Sequence, residues 1–219
     1  MDVIKGLDHR PAIMFSSSAS TYGTPSVVPI KEDARLQPIS PYGSTKLTDE
    51  MILHDYGNAY GIDVMCFRYF NAAGAVPITH DLGQEPGATH IVARVLESMR
   101  DNQEFTLYGN SYPTRDGTCI RDYIHVDDIA RAHALAIYHN VPAGIYNLGT
   151  NQGTSNKEII AAAEQITGQK LLVSVGEQRA GDPPALTASS AKFDMVAGAW
   201  RHYNLDDMIQ HAWTWYNRK

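Results

Sequence analysis

The sequence predicts an α/β fold built on a parallel sheet, and three observations lead there. Strand-like apolar runs alternate with capped helical stretches; the 219 residues are 43% hydrophobic and 19% charged, enough for one substantial core or two small ones; and no repeat, low-complexity tract or charge block interrupts the alternation. Such an order places helices over strands that are joined by crossovers.

The elements follow in turn. Ala12 to Phe15 reads as a short buried strand running into three serines. Ser40 as N-cap and Pro41 in the first turn open a helix with Leu47, Met51 and Ile52 as its apolar stripe, ending near Gly57 to Gly61. Val64 to Phe70 (VMCFRYF), aromatic and β-branched, reads as the second strand. Helices are expected at Thr89 to Asp101 and Val126 to His139, and strands at Phe105 to Tyr108 and Gly144 to Leu148. Thr154 or Ser155 caps a helix over Lys157 to Thr167, Leu171 to Val175 alternates as a strand, and Leu205 to Asn217 closes the chain as a helix. Three irregular stretches, 72–88, 109–118 and 176–190, break the rhythm and are expected together on one side, where they build a site.

Eighteen Lys and Arg stand against twenty-four Asp and Glu, a formal net charge of −6. An acidic chain is a poor host for duplex phosphates, so no nucleic acid partner is expected, while a local basic pocket for one small anion remains open to it. Cys66 and Cys119 are the only cysteines, too few for a disulfide framework or a cysteine metal site, and they suit a reducing compartment; a cytoplasmic location is the expectation. The opening MDVIKGLDHRPAIMFSSS fits neither a signal peptide nor a membrane span, so no membrane partner is expected.

The chemistry begins at Tyr42 and Lys46 in SPYGSTK. Positions four apart share a helix face, so phenol and ammonium can reach one reacting atom. A tyrosine titrates near about pH 10, and lowering it by about 3 units for use as a base near neutrality takes about 4 kcal/mol. A positive charge about 4 Å away, at an effective dielectric of about 20, is worth roughly that before desolvation. Lys46 helps, and a cationic cofactor ring helps more. The spacing alone recurs by chance on many exposed helices. Its setting is more specific: FSSSASTYG closes the preceding strand and RYFNAAG the next, and strand ends are where open parallel sheets hold ligands. A hydroxyl such as that of Ser18 can hydrogen-bond the oxygen that Tyr42 deprotonates.

Through SSSASTYG, SPYGSTK, FRYFNAAGA, GATHIV, LYGNSYPTRDGTCIRDYIHVDD, YNLGTNQGTSNKE and RAGDPPA, in that order, the chain resembles the extended short-chain dehydrogenase/reductases, and within them the UDP-glucose 4-epimerases. The resemblance implies an incomplete doubly wound, Rossmann-like parallel sheet plus a smaller mixed α/β substrate domain, with residues 1–71 and 118–150 on the NAD-binding side and 72–117 and 151–219 on the UDP-sugar side. It implies NAD as cofactor and Ser18, Tyr42 and Lys46 as the catalytic trio. Tyr42 is then the base, Lys46 its activator and cofactor-ribose ligand, and Ser18 the second hydroxyl at the sugar's C4. Ser16, Ser17 and Tyr69 join Tyr42 and Lys46 beside the cofactor. Asn71, His90 and Ile91 hold the UDP-sugar, with Tyr108 near the uracil and Arg121, Arg179 and Asp182 gripping diphosphate and ribose.

The implied reaction interconverts UDP-glucose and UDP-galactose. Tyr42 takes the C4 hydroxyl proton as hydride passes to the nicotinamide, the 4-keto sugar turns over, and hydride returns to its other face. Related sugar-nucleotide 4,6-dehydratases carry an Asp-Glu pair at the strand end; here that place reads Ser17, Ser18, Ala19, Ser20, which favours epimerisation. Leu186 stands where a bulky residue leans towards UDP-glucose and UDP-galactose over N-acetylated sugars.

The residues agree with this on physical grounds, since an arginine fork suits diphosphate oxygens. The plainer alternatives are that Arg121 pairs with Asp122 or Asp127 at the surface and that Arg179 solvates a loop. His125 and Asp127 read as a structural turn rather than a metal site, and no zinc spacing is present among the nine histidines. The family opens with G-x-x-G-x-x-G at the cofactor pyrophosphate, and this chain has no two glycines three apart. The expectation is therefore a C-terminal portion of such an enzyme, without the first three or four strand-helix units, about 100 residues at about 30 each. The alternatives are an epimerase completed by a complementing N-terminal half or a homo-oligomer, a UDP-sugar-binding module without independent catalysis, a different NAD-dependent sugar-nucleotide epimerase, or a purely structural piece.

Overall fold

The computed structural model describes residues 2–5, 7, 11–85 and 87–218; Met1, Gly6, Asp8 to Arg10, Pro86 and Lys219 lie outside them. In chain order the elements are α1 (Asp2–Lys5), β1 (Ile13–Ser18), a 3₁₀ turn (Ala19–Tyr22), α2 (Pro41–Tyr60), β2 (Val64–Tyr69), β3 (Asn71–Ala73), α3 (Ile91–Arg100), β4 (Phe105–Tyr108) and β5 (Ile120–His125). There follow α4 (Val126–Tyr138), β6 (Gly144–Leu148), β7 (Gly153–Ser155), α5 (Asn156–Thr167), β8 (Val173–Gly176), β9 (Ala185–Leu186), α6 (Ala191–Ala197) and α7 (Leu205–Tyr216). This is an α/β fold, and no described helix is long and apolar enough to cross a membrane.

β1, β2 and β6 form one parallel sheet in that order, with Ser18 opposite Tyr69 and Tyr69 opposite Leu148. The register brings the carboxyl ends of the strands level, and α2 makes the crossover from β1 to β2. Alternation along β2 turns Phe67 and Tyr69 to His133 of α4 and turns Arg68 to Glu50 of α2. Met65, Phe67, Ala132, Tyr146, Phe193 and Trp200 make the core on the α4 and α6 side. A second core lies among α3, α5 and α7, where Val95, Leu96, Ile159, Ala163, Met208 and Ile209 are buried. There β5 runs antiparallel to β7 and parallel to β3 and β9, and β4 pairs with β8.

The helix punctuation is as the sequence predicts. The Ser40 hydroxyl accepts from Gly43 N at 3.1 Å, Pro41 stands in the first turn, and Gly61 ends α2 in the left-handed region. Ser155, rather than Thr154, caps α5 in a reciprocal box with Glu158.

Three expectations need correction. The stripe on α2 is not a core stripe: Met51 and Ile52 are 61% and 46% exposed, while Glu50 is 3% exposed. It is the buried pair of Glu50 with Arg68 of β2, rather than this stripe, that seats the helix. β1 continues through the serines to Ser18 instead of stopping at Phe15, because Ser16, Ser17 and Ser18 all keep parallel partners on β2. The strand after α5 starts at Val173, and the sequence reading does not contain α1, β3, β5, β7, β9 or α6. In β5 the charges of Arg121 and Asp122 hid a strand whose polar groups are satisfied internally: the Asp122 carboxylate accepts from Thr150 N at 2.7 Å, Asn151 N at 3.0 Å and Ala188 N at 3.1 Å.

Candidate active site

At the carboxyl end of β1, Lys46 of α2 joins the strand to the neighbourhood of Tyr42. Lys46 Nζ donates to the Ser16 carbonyl at 2.9 Å and lies 5.8 Å from the centre of the Tyr42 ring. Tyr42 is 58% exposed, and its hydroxyl makes no hydrogen bond among the described residues. Ser18 caps the 3₁₀ turn: its Oγ accepts from Ser20 N at 3.2 Å and from Ser20 Oγ at 2.9 Å, which leaves its own proton to donate. Gly43 lets the start of α2 press on this turn, since a Cβ there would stand 2.6 Å from the Ser20 carbonyl oxygen.

A directed chain runs beside them. His133 Nδ1 lies 2.8 Å from the Ile129 carbonyl, which can only accept, so Nδ1 carries the proton and Nε2 accepts from the Tyr69 hydroxyl at 2.9 Å. The Tyr69 oxygen then receives Ser16 Oγ at 2.8 Å. Burial pushes the Tyr69 phenol up and the Ser16 contact opposes this, so it stays protonated and acts as a fixed polar wall. Ser17 points away from this face; its hydroxyl donates to Glu50 inside the buried network. Exposed Ser16, the free Tyr42 hydroxyl and an ammonium with two donors unengaged fit the ribose hydroxyls and carboxamide of a nicotinamide nucleotide.

Asn71, two residues past Tyr69, leads into a cavity of about 380 Å³, within the range of about 300–1,000 Å³ usual for small-molecule sites. All seven residues expected around the sugar nucleotide line it: Asn71, His90, Ile91, Tyr108, Arg121, Arg179 and Asp182. Asn71 Nδ2 donates to the Asp122 carbonyl at 3.0 Å, so its Oδ1 is left to accept from a ligand. The Arg179 guanidinium lies 4.3 Å from the Tyr108 ring centre, a cation over a π face. Arg121 pairs with Asp182 across the cavity wall, and neither Asp122 nor Asp127 is its partner. Burial of Cys119 raises its thiol, and Sγ donates to Asp182 at 3.6 Å.

The second and third irregular stretches touch where Gln178 Nε2 donates to Ser111 Oγ at 2.9 Å, but of the two the third alone lines the cavity among the described residues, through Arg179 and Asp182. The first, 72–88, supplies no lining residue among those described, and the wall is taken up just past it by Thr89 and His90. Its body closes on itself between Val76 and Leu82 and packs on α7, where Trp215 Nε1 donates to the Gln84 carbonyl at 2.8 Å. His125 is a satisfied structural group: its Nδ1 accepts from Asp127 N at 3.0 Å, its Nε2 bonds His211 Nδ1 at 3.0 Å, and its ring stacks on Tyr203.

The sequence reading missed Arg94, which also lines the cavity. Its signal was helical spacing alone, four residues after His90 and three after Ile91 on one face of α3.

Residues 2–149 match the NAD dependent epimerase/dehydratase family. The UDP-glucose 4-epimerase of Halalkalibacterium halodurans is 41% identical over 219 residues, covering 97% of this chain and 65% of the relative. Among solved structures, the UDP-glucose-4-epimerase from Stenotrophomonas maltophila with bound NAD and formylated UDP-arabinopyranose superposes with TM-score 0.89 at 33% identity, over 94% of this chain and 63% of that one. The UDP-glucose 4-epimerase from Brucella ovis in complex with NAD gives 0.86 at 44% identity, over 93% and 64%. The chain thus spans just under two thirds of the length of these relatives. With its strand order, its tyrosine and lysine at the strand ends and this match along most of its length, the chain belongs to the NAD dependent epimerase/dehydratase family.

Proposed function

We propose that the chain carries the UDP-sugar site and the catalytic tyrosine of an NAD-linked UDP-glucose 4-epimerase, acting on UDP-glucose and UDP-galactose. The observation that carries this reading is the convergence of seven separately placed residues on one cavity that begins two residues from Tyr69. The naming of the relatives as UDP-glucose 4-epimerases supports the reaction, and the NAD in the solved structures supports the cofactor.

On this reading the Tyr42 phenol takes the proton of the C4 hydroxyl while Ser18 donates to the same oxygen, and Lys46, tethered to β1, holds its positive charge beside the Tyr42 ring. NAD, when bound beside Ser16, Tyr42, Lys46 and Tyr69, supplies a reversible hydride acceptor. The cavity holds the nucleotide diphosphate while the hexose turns over at the strand ends. Leu186, partly buried against the core of Tyr22, Ile30 and Phe70, favours the unsubstituted hexoses. Residues 1–71 and 118–150 serve the cofactor side and 72–117 and 151–219 the sugar side, with Phe193, Ala197 and Trp200 of the latter lent to the core of the former.

Conversion of UDP-galactose with added NAD tests this. Tyr42→Phe is expected to abolish conversion while still binding UDP-galactose. Equal turnover in that variant refutes the reading, and binding without any conversion by the unaltered chain at every protein concentration reduces it to a sugar-nucleotide binding module.

A further inference from the structure

We infer that Arg94 is a diphosphate-binding residue of the cavity, adding an unpaired positive charge to those of Arg121 and Arg179. This rests on the reading of the cavity as a UDP-sugar site. Three guanidiniums line it, and their situations differ. Arg121 is committed: its side chain is 12% exposed, one nitrogen donates to the Ile120 carbonyl at 2.8 Å, and another grips Asp182. That pair is locally neutral, so it contributes shape and donors more than net charge. Among the described residues the Arg179 side chain is engaged through the Tyr108 ring alone, and no carboxylate pairs with its charge.

The Arg94 side chain has neither a hydrogen bond nor an ion pair among the described residues, and it is exposed on the cavity side of α3 while its neighbours Val92, Ala93, Val95 and Leu96 are buried. It rises from the first turn of a ten-residue helix whose N-cap, His90, makes no side-chain hydrogen bond to the leading N–H groups. The unpaired guanidinium and those N–H groups offer donors to the same cavity, which His90 and Ile91 also line. Two uncancelled positive charges thus face a ligand whose two phosphates, in a nucleoside diphosphate sugar, carry one negative charge each. An arginine without a side-chain partner among the described residues, lining a cavity of an acidic chain, is matched by that dianion.

Titration of UDP-galactose into the full chain by calorimetry, at low and at high salt, tests the inference. Arg94→Gln is expected to weaken binding about tenfold at low salt and to flatten its salt dependence, the weight of one charge-assisted contact. Arg94→Lys, which keeps the charge but loses the fork, recovers part of the loss. The thermal midpoint stays unchanged in both, because no internal contact is removed. Unaltered affinity and salt dependence in Arg94→Gln, with Arg179→Gln weakened, overturns the role of Arg94 alone. No binding of UDP-galactose by the unaltered chain overturns the cavity reading and this inference together.

Discussion

Glu50 holds Arg68 through both carboxylate oxygens, Nε at 2.9 Å and NH2 at 2.6 Å, with the two side chains 3% and 1% exposed. Glu50 lies two helical turns beyond Tyr42 and one beyond Lys46, so the face of α2 that presents the phenol is anchored to β2 by this pair. Arg68 also donates to the Tyr22 hydroxyl at 2.9 Å, and Tyr22 in turn donates to Asn147 at 2.7 Å. Burial opposes the Arg68 charge, and its contacts with Glu50 and Tyr22 outweigh it, so the guanidinium stays ionised.

Removing one partner strands the other. Glu50→Ala is expected to cost about 3–5 kcal/mol, the usual penalty for an uncompensated buried charge, read from urea unfolding. The double variant Glu50→Leu with Arg68→Met should recover much of that loss; equal damage in single and double variants would show that the pair does not couple.

Lys46→Met keeps the length of the side chain and discards its charge. Turnover of UDP-galactose should fall by about 10²–10⁴-fold, the range of a disabled general base, with the KM changed far less. A fall in affinity with turnover kept would place Lys46 in binding instead.

Gly43→Ala puts a methyl group 2.6 Å from the Ser20 carbonyl oxygen. We expect a loss of about 1–3 kcal/mol as α2 lifts from the serine turn. Turnover should fall with it, because Tyr42 and Ser18 part; intact turnover would show that the two hydroxyls tolerate the shift.

His125 is pushed down from 6.5 to about 4, first by burial and then by the neighbouring His211. The unfolded chain binds a proton in that interval and the folded one does not. Stability is therefore full above about pH 6.5 and declines towards about pH 4, by roughly 3 kcal/mol from this group. In His125→Gln that contribution disappears, so the difference between the two proteins' urea midpoints should shrink as pH falls through the window; a constant difference would acquit His125.

Much of this was legible because local chemistry is written locally. Ser40-Pro41 and Ser155 announce helix starts, and the strand FTLY was bounded correctly by its apolar content. The seven cavity residues were reachable from motif order, although they come from separate segments. What stayed hidden depends on partners far along the chain. Glu50 looks like a surface residue until Arg68 is placed beside it, and the polar strand β5 looks like a loop until Asp122 is seen capping the turn at Thr150. Arg94 left only the faint signal of helical spacing, since nothing among the described residues answers its charge.

Lys46 and Asn71 share a kind of anchorage: one ends on the carbonyl of Ser16, the other on that of Asp122, both main-chain oxygens. Such moorings belong to the peptide skeleton, not to the side chain at the acceptor position. Mutational drift at exposed position 16 can therefore alter solvation without unmooring Lys46, whereas at position 122 the buried carboxylate also holds Thr150, Asn151 and Ala188, so there the strand itself is at stake.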